Sequence, residues 1–208
     1  MIQNETMKTI LTRNSYRMFD GKPIGDEELD TIIQAGLHAP TGMNGQPWHF
    51  AVIKNPATLA KLADIRKNMR MPGPPPGATP PPGAAPPGPP PPPGGAPGAA
   101  PPGPPPPQAD PMRNAPVLIL VCGKESHMTN FEDCALATEN MMLAAWSLGI
   151  GSGWDHFFVM GFFNAPEAAA LKAEMIPEGY VVRSAVFYGY PTPPYRDKGP
   201  RTGTYKFH

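Results

Sequence analysis

Residues 72–107 constrain the fold of this chain more than any other stretch, because they cannot contribute to a hydrophobic core. Of these 36 positions 21 are proline and 8 are glycine, and the rest are alanine with one threonine. No side chain there is large enough to offset the entropy of ordering the chain, and proline removes backbone donors. The expected state is a broken polyproline II coil, extending by up to roughly 3 Å per residue where prolines run together. It reads as a surface loop. A docking strand for an SH3-like or profilin-like partner is the second reading, but repeats such as Pro-Pro-Gly-Pro-Pro-Pro-Pro lack the flanking arginine or lysine that orients such ligands. About 170 residues remain, enough for one domain over 1–208 that carries 72–107 as a low-complexity insert.

Charge and cysteine usage exclude several function classes. Lysine plus arginine equals aspartate plus glutamate at 17 each, so no general basic field exists to hold nucleic acid. Cys122 and Cys134 lack CxxC spacing and a neighbouring histidine, which fits buried free thiols in a reducing compartment rather than a metal site. His38, His49, His127 and His156 show no paired spacing for zinc, and no serine sits in a Gly-x-Ser-x-Gly elbow. The start of the chain has no basic-then-apolar signal pattern, and no apolar run approaches the roughly 20 residues that span a bilayer. The expectation is a soluble, cytoplasmic protein with no membrane contact and no metal.

Outside the insert, helix and strand signals alternate. Residues 5 to 13 read as a helix, and Asp26 is placed to cap a second one through Leu29, Ile32, Ile33 and Leu37, which Pro40 stops. Trp48 to Lys54 alternates as a strand, and Pro56 opens a helix through Leu59, Leu62 and Ile65. The continuous apolar run Val117 to Val121 predicts a central strand buried on both faces. Thr129-Asn130-Phe131-Glu132 has the form of a capping box, starting a helix that passes Met141, Met142, Leu143 and Trp146 before Gly149 ends it. That helix is apolar nearly all round, which predicts burial. Gly151 to Phe158 reads as a strand, Pro166 to Met175 as a helix and Tyr180 to Gly189 as a last strand. The fold class expected is α+β, a mixed central sheet flanked by helices.

Two short strings carry the chemistry. Arg13-Asn14-Ser15-Tyr16-Arg17 sets two guanidinium groups and a hydroxyl close together after a helix, an arrangement suited to a phosphate monoester because planar guanidinium forks bind oxyanions bidentately. Ala39-Pro40-Thr41-Gly42-Met43-Asn44-Gly45-Gln46-Pro47-Trp48 joins small residues and carboxamides in a loop before a strand. Together they can hold a phosphate at one end of a ligand and hydrogen-bond a flat heterocycle at the other. Each string has a plainer reading: Arg13 and Arg17 lie four apart and would share a solvated helix face, and Trp48 with Phe50 reads as core packing. Gly149-x-Gly151-x-Gly153 follows a helix rather than a strand, so it is a poor dinucleotide fingerprint.

The order and spacing of five pieces resemble the nitroreductase family of FMN-dependent oxidoreductases. They are Arg-x-Ser-x-Arg, the Ala-Pro-Thr-Gly-x-Asn-x-Gln-Pro-Trp loop, Asn114-Ala115-Pro116, the stretch Asp133 to Gly151, and Pro177-Glu178-Gly179-Tyr180 before Gly189-Tyr190-Pro191. The resemblance implies a homodimer with FMN at the subunit interface. Arg13, Ser15 and Arg17 would then grip the phosphate and ribityl chain, with Asn14 donating through its backbone. Pro40, Thr41, Asn44 and Gln46 would lie along the isoalloxazine ring, while Gly151, Ser152 and Gly153 approach it from the other side. At the C-terminus Arg201 best matches a basic residue returning to the phosphate, with Arg196 and Lys198 as alternatives, and Asn68 is the candidate for a contact from the stretch before the central strand. The implied reaction takes hydride from NADH or NADPH onto FMN and passes electrons to a small nitroaromatic, quinone or similar acceptor by a ping-pong mechanism, with no side chain required as a proton donor. The alternatives are a flavin-binding or scaffold protein without turnover, and a related flavin enzyme such as a reductive dehalogenase.

Overall fold

Short local signals start and stop most elements of the computed structural model, which describes residues 2–69, 110–193 and 201–207. The insert 72–107, Arg196 and Lys198 lie outside the described residues. Helix α1 (Glu5–Thr12) begins where the Asn4 side chain accepts from Met7 N at 2.8 Å, and α3 (Pro56–Asn68) begins where Asn55 accepts from Ala57 N and Thr58 N. Such caps contribute about 1 kcal/mol each. Helix α2 (Asp26–Leu37) starts differently from the expectation. Gly25 is its N-cap residue and Asp26 its first helical one, and the Glu28 carboxylate reaches back to accept from Gly25 N at 2.9 Å. The capping box expected at Thr129 is likewise not formed, because the Thr129 hydroxyl donates to Asp133 Oδ2 at 2.9 Å instead of accepting from the helix backbone. Helix α4 (Asn130–Ser147) ends as predicted: Gly149 takes φ 78°, its N–H donates to Trp146 O, and Ile150 N donates to Ala145 O. This is a Schellman stop, which favours glycine.

Strands β1 (Trp48–Ile53), β2 (Val117–Lys124), β3 (Gly151–Trp154) and β4 (Tyr180–Gly189) form one sheet in the order β1-β2-β4-β3. The α+β class holds, but the sheet expected to be mixed is antiparallel along every described ladder, with a single parallel bridge between Ser15 and Ser152. Strand β2 is central and buried on both faces, as its apolar run requires. Leu118, Leu120 and Cys122 enter one core with Phe158, Phe162, Phe187 and the α3 residues Leu59 and Leu62. Val117, Ile119 and Val121 enter a second core with Ile32 of α2 and Ala137 and Met141 of α4. Each large apolar side chain so buried contributes about 1.5–3 kcal/mol. Both thiols are buried and free, and burial is the main reason that each is pushed up to about 12.

Two further elements differ from the sequence reading. Strand β3 stops at Trp154 rather than running to Phe158, because buried Asp155 caps a 3-10 turn over His156–Phe158 by accepting from Phe157 N at 2.9 Å. The predicted helix 166–175 divides into a 3-10 turn, Pro166–Ala168, and α5 (Ala169–Met175). Helix α4 is not covered all round. Phe131 and Leu136 are 54% and 45% exposed, and the polar residues that interrupt it find partners, Glu139 with Arg13 and Asn140 with the Ala35 carbonyl. Among the described residues no helix is long and apolar enough to cross a membrane.

Candidate functional site

The Arg-x-Ser-x-Arg segment is laid along the outer edge of β3. Tyr16 N donates to Ser152 O at 2.8 Å, and Phe19 pairs with Pro191 at the end of β4. Tyr16 and Phe19 turn inward, 7% and 2% exposed, while Ser15 and Arg17 face outward. Trp146 of α4 anchors the entry to the segment, donating from Nε1 to Thr12 Oγ1 at 2.8 Å and packing its ring 5.6 Å from Tyr16. Arg13 lies beyond the end of α1, so the two arginines do not share a helix face. Gly151 and Gly153 are accounted for by this docking: a Cβ on Gly153 would meet the Tyr16 carbonyl oxygen at 2.3 Å, and one on Gly151 would meet Tyr16 Cδ2 at 2.8 Å. The resemblance has the backbone of these residues approach the ring, and their missing side chains make room for Tyr16.

Two polar atoms at this edge are buried without a hydrogen-bond partner. Arg13 Nε is ion-paired with Glu139 Oε1 at 3.3 Å but is buried without a hydrogen bond. Ser152 Oγ is also buried and unpartnered, on a residue 1% exposed. Asn14 Oδ1 accepts from Ser15 N at 2.9 Å, which fixes the turn between the two arginines. Buried polar atoms are seldom left without a hydrogen bond, so Arg13 Nε and Ser152 Oγ stand out at this edge.

The loop with Pro40, Thr41, Asn44 and Gln46 is built by strain and one buried carboxylate. Met43, Asn44 and Gln46 take φ values of 52°, 54° and 43°, left-handed conformations that non-glycine residues adopt at a cost. Asp133, 2% exposed, accepts from Gly42 N at 3.0 Å through Oδ1, and from Thr129 Oγ1 through Oδ2. His127 Nε2 stands 3.3 Å from the same Oδ2. Gln46 N donates to Thr41 Oγ1 and Gln46 Nε2 to Asn44 Oδ1, leaving the loop's outer surface exposed at Pro40, Asn44 and Gln46. Trp48 is core, 9% exposed and stacked on Phe50. Sequence reasoning missed Asp133 and His127 as supports of this loop, although Asp133 began one of the five motif pieces.

A second buried carboxylate, Asp155, was also missed. Its Oδ2 accepts from Arg66 Nη2 at 2.9 Å and from Arg113 Nη2 at 2.7 Å. Both guanidinium groups pack on aromatic rings, Arg66 at 4.7 Å from the Phe157 centroid and Arg113 at 5.1 Å from that of Phe187. Asn68 does not join them. It is exposed at the end of α3 and its amide donates to Asp64 O of its own helix, so α3 contributes Arg66 inward instead. Arg201 is exposed on 201–207, which has no regular secondary structure.

A model of the nitroreductase family matches residues 10–190. The chain belongs to the nitroreductase family. A relative of Archaeoglobus fulgidus, provisionally named an NADH dehydrogenase/NAD(P)H nitroreductase, is 30% identical over 194 residues, covering 90% of this chain and 86% of its own. A Methanothermobacter thermautotrophicus protein of the same provisional name is 26% identical over 188 residues, covering 85% and 77%. Among solved structures, a nitroreductase with bound FMN from Bacteroides fragilis is 26% identical with a TM-score of 0.74, over 99% of this chain and all of that one. Membership of the nitroreductase family makes this chain an oxidoreductase.

Proposed function

We propose that the chain is an FMN-dependent oxidoreductase that accepts hydride from NADH or NADPH and passes electrons to a nitroaromatic, quinone or similar small acceptor. The observation that carries this reading is the edge of β3, where Arg13 Nε, ion-paired with Glu139, and Ser152 Oγ are buried without hydrogen bonds beside exposed Ser15 and Arg17. Guanidinium and hydroxyl donors gathered around unmet valences suit a phosphate monoester. FMN, when bound, supplies the hydride and electron transfer. Arg13, Asn14, Ser15 and Arg17 would hold its phosphate and ribityl chain, with Arg201 or Lys198 returning to them. Pro40, Thr41, Asn44 and Gln46 would line its ring, and the preset left-handed backbone of Asn44 and Gln46 removes an ordering cost from binding. Donor and acceptor would take turns at the same exposed surface, giving ping-pong kinetics.

A homodimer fits the exposed Phe131 and Leu136 on α4, which a second copy would cover. Buried free thiols suit a reducing compartment, so the cytoplasm is the proposed location. The domain is proposed to be single, with 72–107 inserted between α3 and β2.

The test is spectroscopic. Protein loaded with FMN should be yellow, bleach under NADH or NADPH without air, and recover colour with a nitroaromatic or quinone. Yellow protein that neither nicotinamide bleaches would favour binding without turnover or another reductant, and protein that takes up no FMN would overturn the reading. Changing Arg13 and Arg17 to alanine should weaken FMN binding by about 1.5–3 kcal/mol each, since each loses a charge-assisted bond, while the thermal midpoint stays close to that of the unchanged protein.

A further inference from the structure

The loop 41–46 is gripped at both of its glycines by a polar cluster around the start of α4. Asp133 Oδ1 accepts from Gly42 N at 3.0 Å, and its Oδ2 accepts from Thr129 Oγ1 at 2.9 Å. The His127 ring lies against Gly45, where a Cβ would collide with Cε1, and its Nε2 stands 3.1 Å from Thr129 Oγ1 and 3.3 Å from Asp133 Oδ2. His127 is itself fixed. Its N–H donates to Lys124 O at 3.0 Å, and its carbonyl accepts from Asn130 N at 3.2 Å and from the Asn130 side-chain amide. Arg183 of β4 holds that amide in turn, donating from Nε to Asn130 Oδ1 at 2.6 Å.

The hydrogens of this cluster can be counted. The Thr129 hydroxyl has one, and it goes to Asp133, so the hydrogen on the contact between Thr129 and His127 belongs to Nε2. A neutral His127 then has a bare Nδ1, where a second proton lands. The His127 side chain is 20% exposed and can take that proton from water, whereas the side chain of Asp133 is 3% exposed. Among the described residues no lysine or arginine is ion-paired with Asp133, so its charge rests on two neutral donors until the imidazole is charged. A cation at that distance holds a buried carboxylate harder than neutral donors do, and imidazole is the side chain whose charge changes between about pH 5 and 8. The other charged residues on the elements around His127 are Lys124 and Glu125 on the turn before it, Glu132 on α4, Glu178 on the turn before β4, and Arg183. Only Asp133 is ion-paired with it among the described residues, and 41–46 has no titratable side chain.

We propose that His127 is a pH-sensitive positioning residue: protonation of its ring completes a charged pair with Asp133 that tightens the hold on Gly42 and Gly45 and keeps loop 41–46 in its ligand-lining shape. The inference rests on the FMN reading above, because that shape is what presents Asn44 and Gln46 to a flavin. A histidine that gains a carboxylate partner contributes most below its titration and loses that contribution as the pH rises through it. The hold on the loop therefore weakens toward alkaline pH, and flavin affinity weakens with it.

The experiment follows hydrogen-exchange protection of the Gly42 and Gly45 amides in the flavin-free full chain and, separately, FMN affinity by fluorescence quenching, at about pH 5.5 and about pH 8, either side of an imidazole titration. Protection in the unchanged chain should be on the order of fivefold greater at the lower pH, as for a partly exposed ion pair. His127→Gln, neutral at both pH values and still able to donate to Asp133, should keep the lower protection throughout. Asp133→Asn, which retains an acceptor for Gly42, should lose the pH dependence as well and serves if His127→Gln does not fold. A phosphate monoester also changes charge near pH 6, so affinity is read as the ratio of the unchanged chain to the variant, which should fall on the order of fivefold from the lower pH to the higher. Equal pH dependence of protection in His127→Gln, or a lower thermal midpoint with protection unaltered, would overturn the proposal and leave His127 as packing for Gly45. Protection that follows His127 without any change in the affinity ratio would also overturn it, by separating the loop from the flavin. Failure of the unchanged protein to take up FMN at all would instead overturn the functional reading, while the flavin-free chain still reports the loop's own pH dependence.

Discussion

The two motif-bearing segments are positioned by opposite means. Residues 13–19 are held through the backbone, by the Tyr16–Ser152 hydrogen bond and the Phe19–Pro191 pairing, with two glycines making room. Residues 41–46 make no ladder; bonds within the loop and one buried carboxylate, Asp133, hold three left-handed residues in place. The first segment is part of the sheet's own cohesion. The second is tied to the rest of the fold through the Asp133 side chain, the kind of attachment found in low-stability binding loops.

Three substitutions sharpen that contrast. The largest global effect is expected from Gly153→Ala, whose Cβ would lie 2.3 Å from backbone, where nothing flexible can yield. Overpacking of this kind costs about 1–3 kcal/mol, read as a fall of several degrees in thermal midpoint. Asp133→Ala should cost less globally, about 1–2 kcal/mol, because it strands the Gly42 N–H and the Thr129 hydroxyl. It should also raise protease cleavage within 41–46 and weaken FMN binding, and Asp133→Asn should recover part of both, since an amide oxygen still accepts from Gly42. Equal loop protection in the alanine variant would break the comparison. The smallest effect is expected from Met43→Gly, at an exposed position with φ 52°. Relief of left-handed strain against the greater unfolded-state entropy of glycine leaves a gain of about 0.5 kcal/mol, measurable as a slightly higher denaturant midpoint.

What could be read from the sequence was whatever depends on neighbours along the chain. The two-faced burial of β2, the Leu29, Ile32 and Ile33 part of the α2 stripe and the Gly149 stop follow from side-chain spacing within one element, and each is present, whereas Leu37 of that stripe is 42% exposed. The supports of the site depend on distant pairs. Gly42 and Asp133 are 91 positions apart, and Arg66 and Asp155 are 89 apart. No periodicity announces such partners. Thr129 shows how a local rule fails: its spacing to Glu132 matched a capping box, but a buried carboxylate one turn on, already committed to Gly42, captured the hydroxyl. The glycines of β3 show the converse, since their spacing was legible while the reason for it, the Tyr16 carbonyl, was not.

The seating of residues 15 and 16 on Ser152 has a consequence for solubility. A terminal strand with bare amides and carbonyls is a template on which other chains add and fibres grow, and natural proteins blunt such borders. Here the blunting is done by the segment proposed to grip the FMN phosphate. Trimming the first nineteen residues would therefore strip a shield as well as a binding element, and aggregation should accompany the loss of colour.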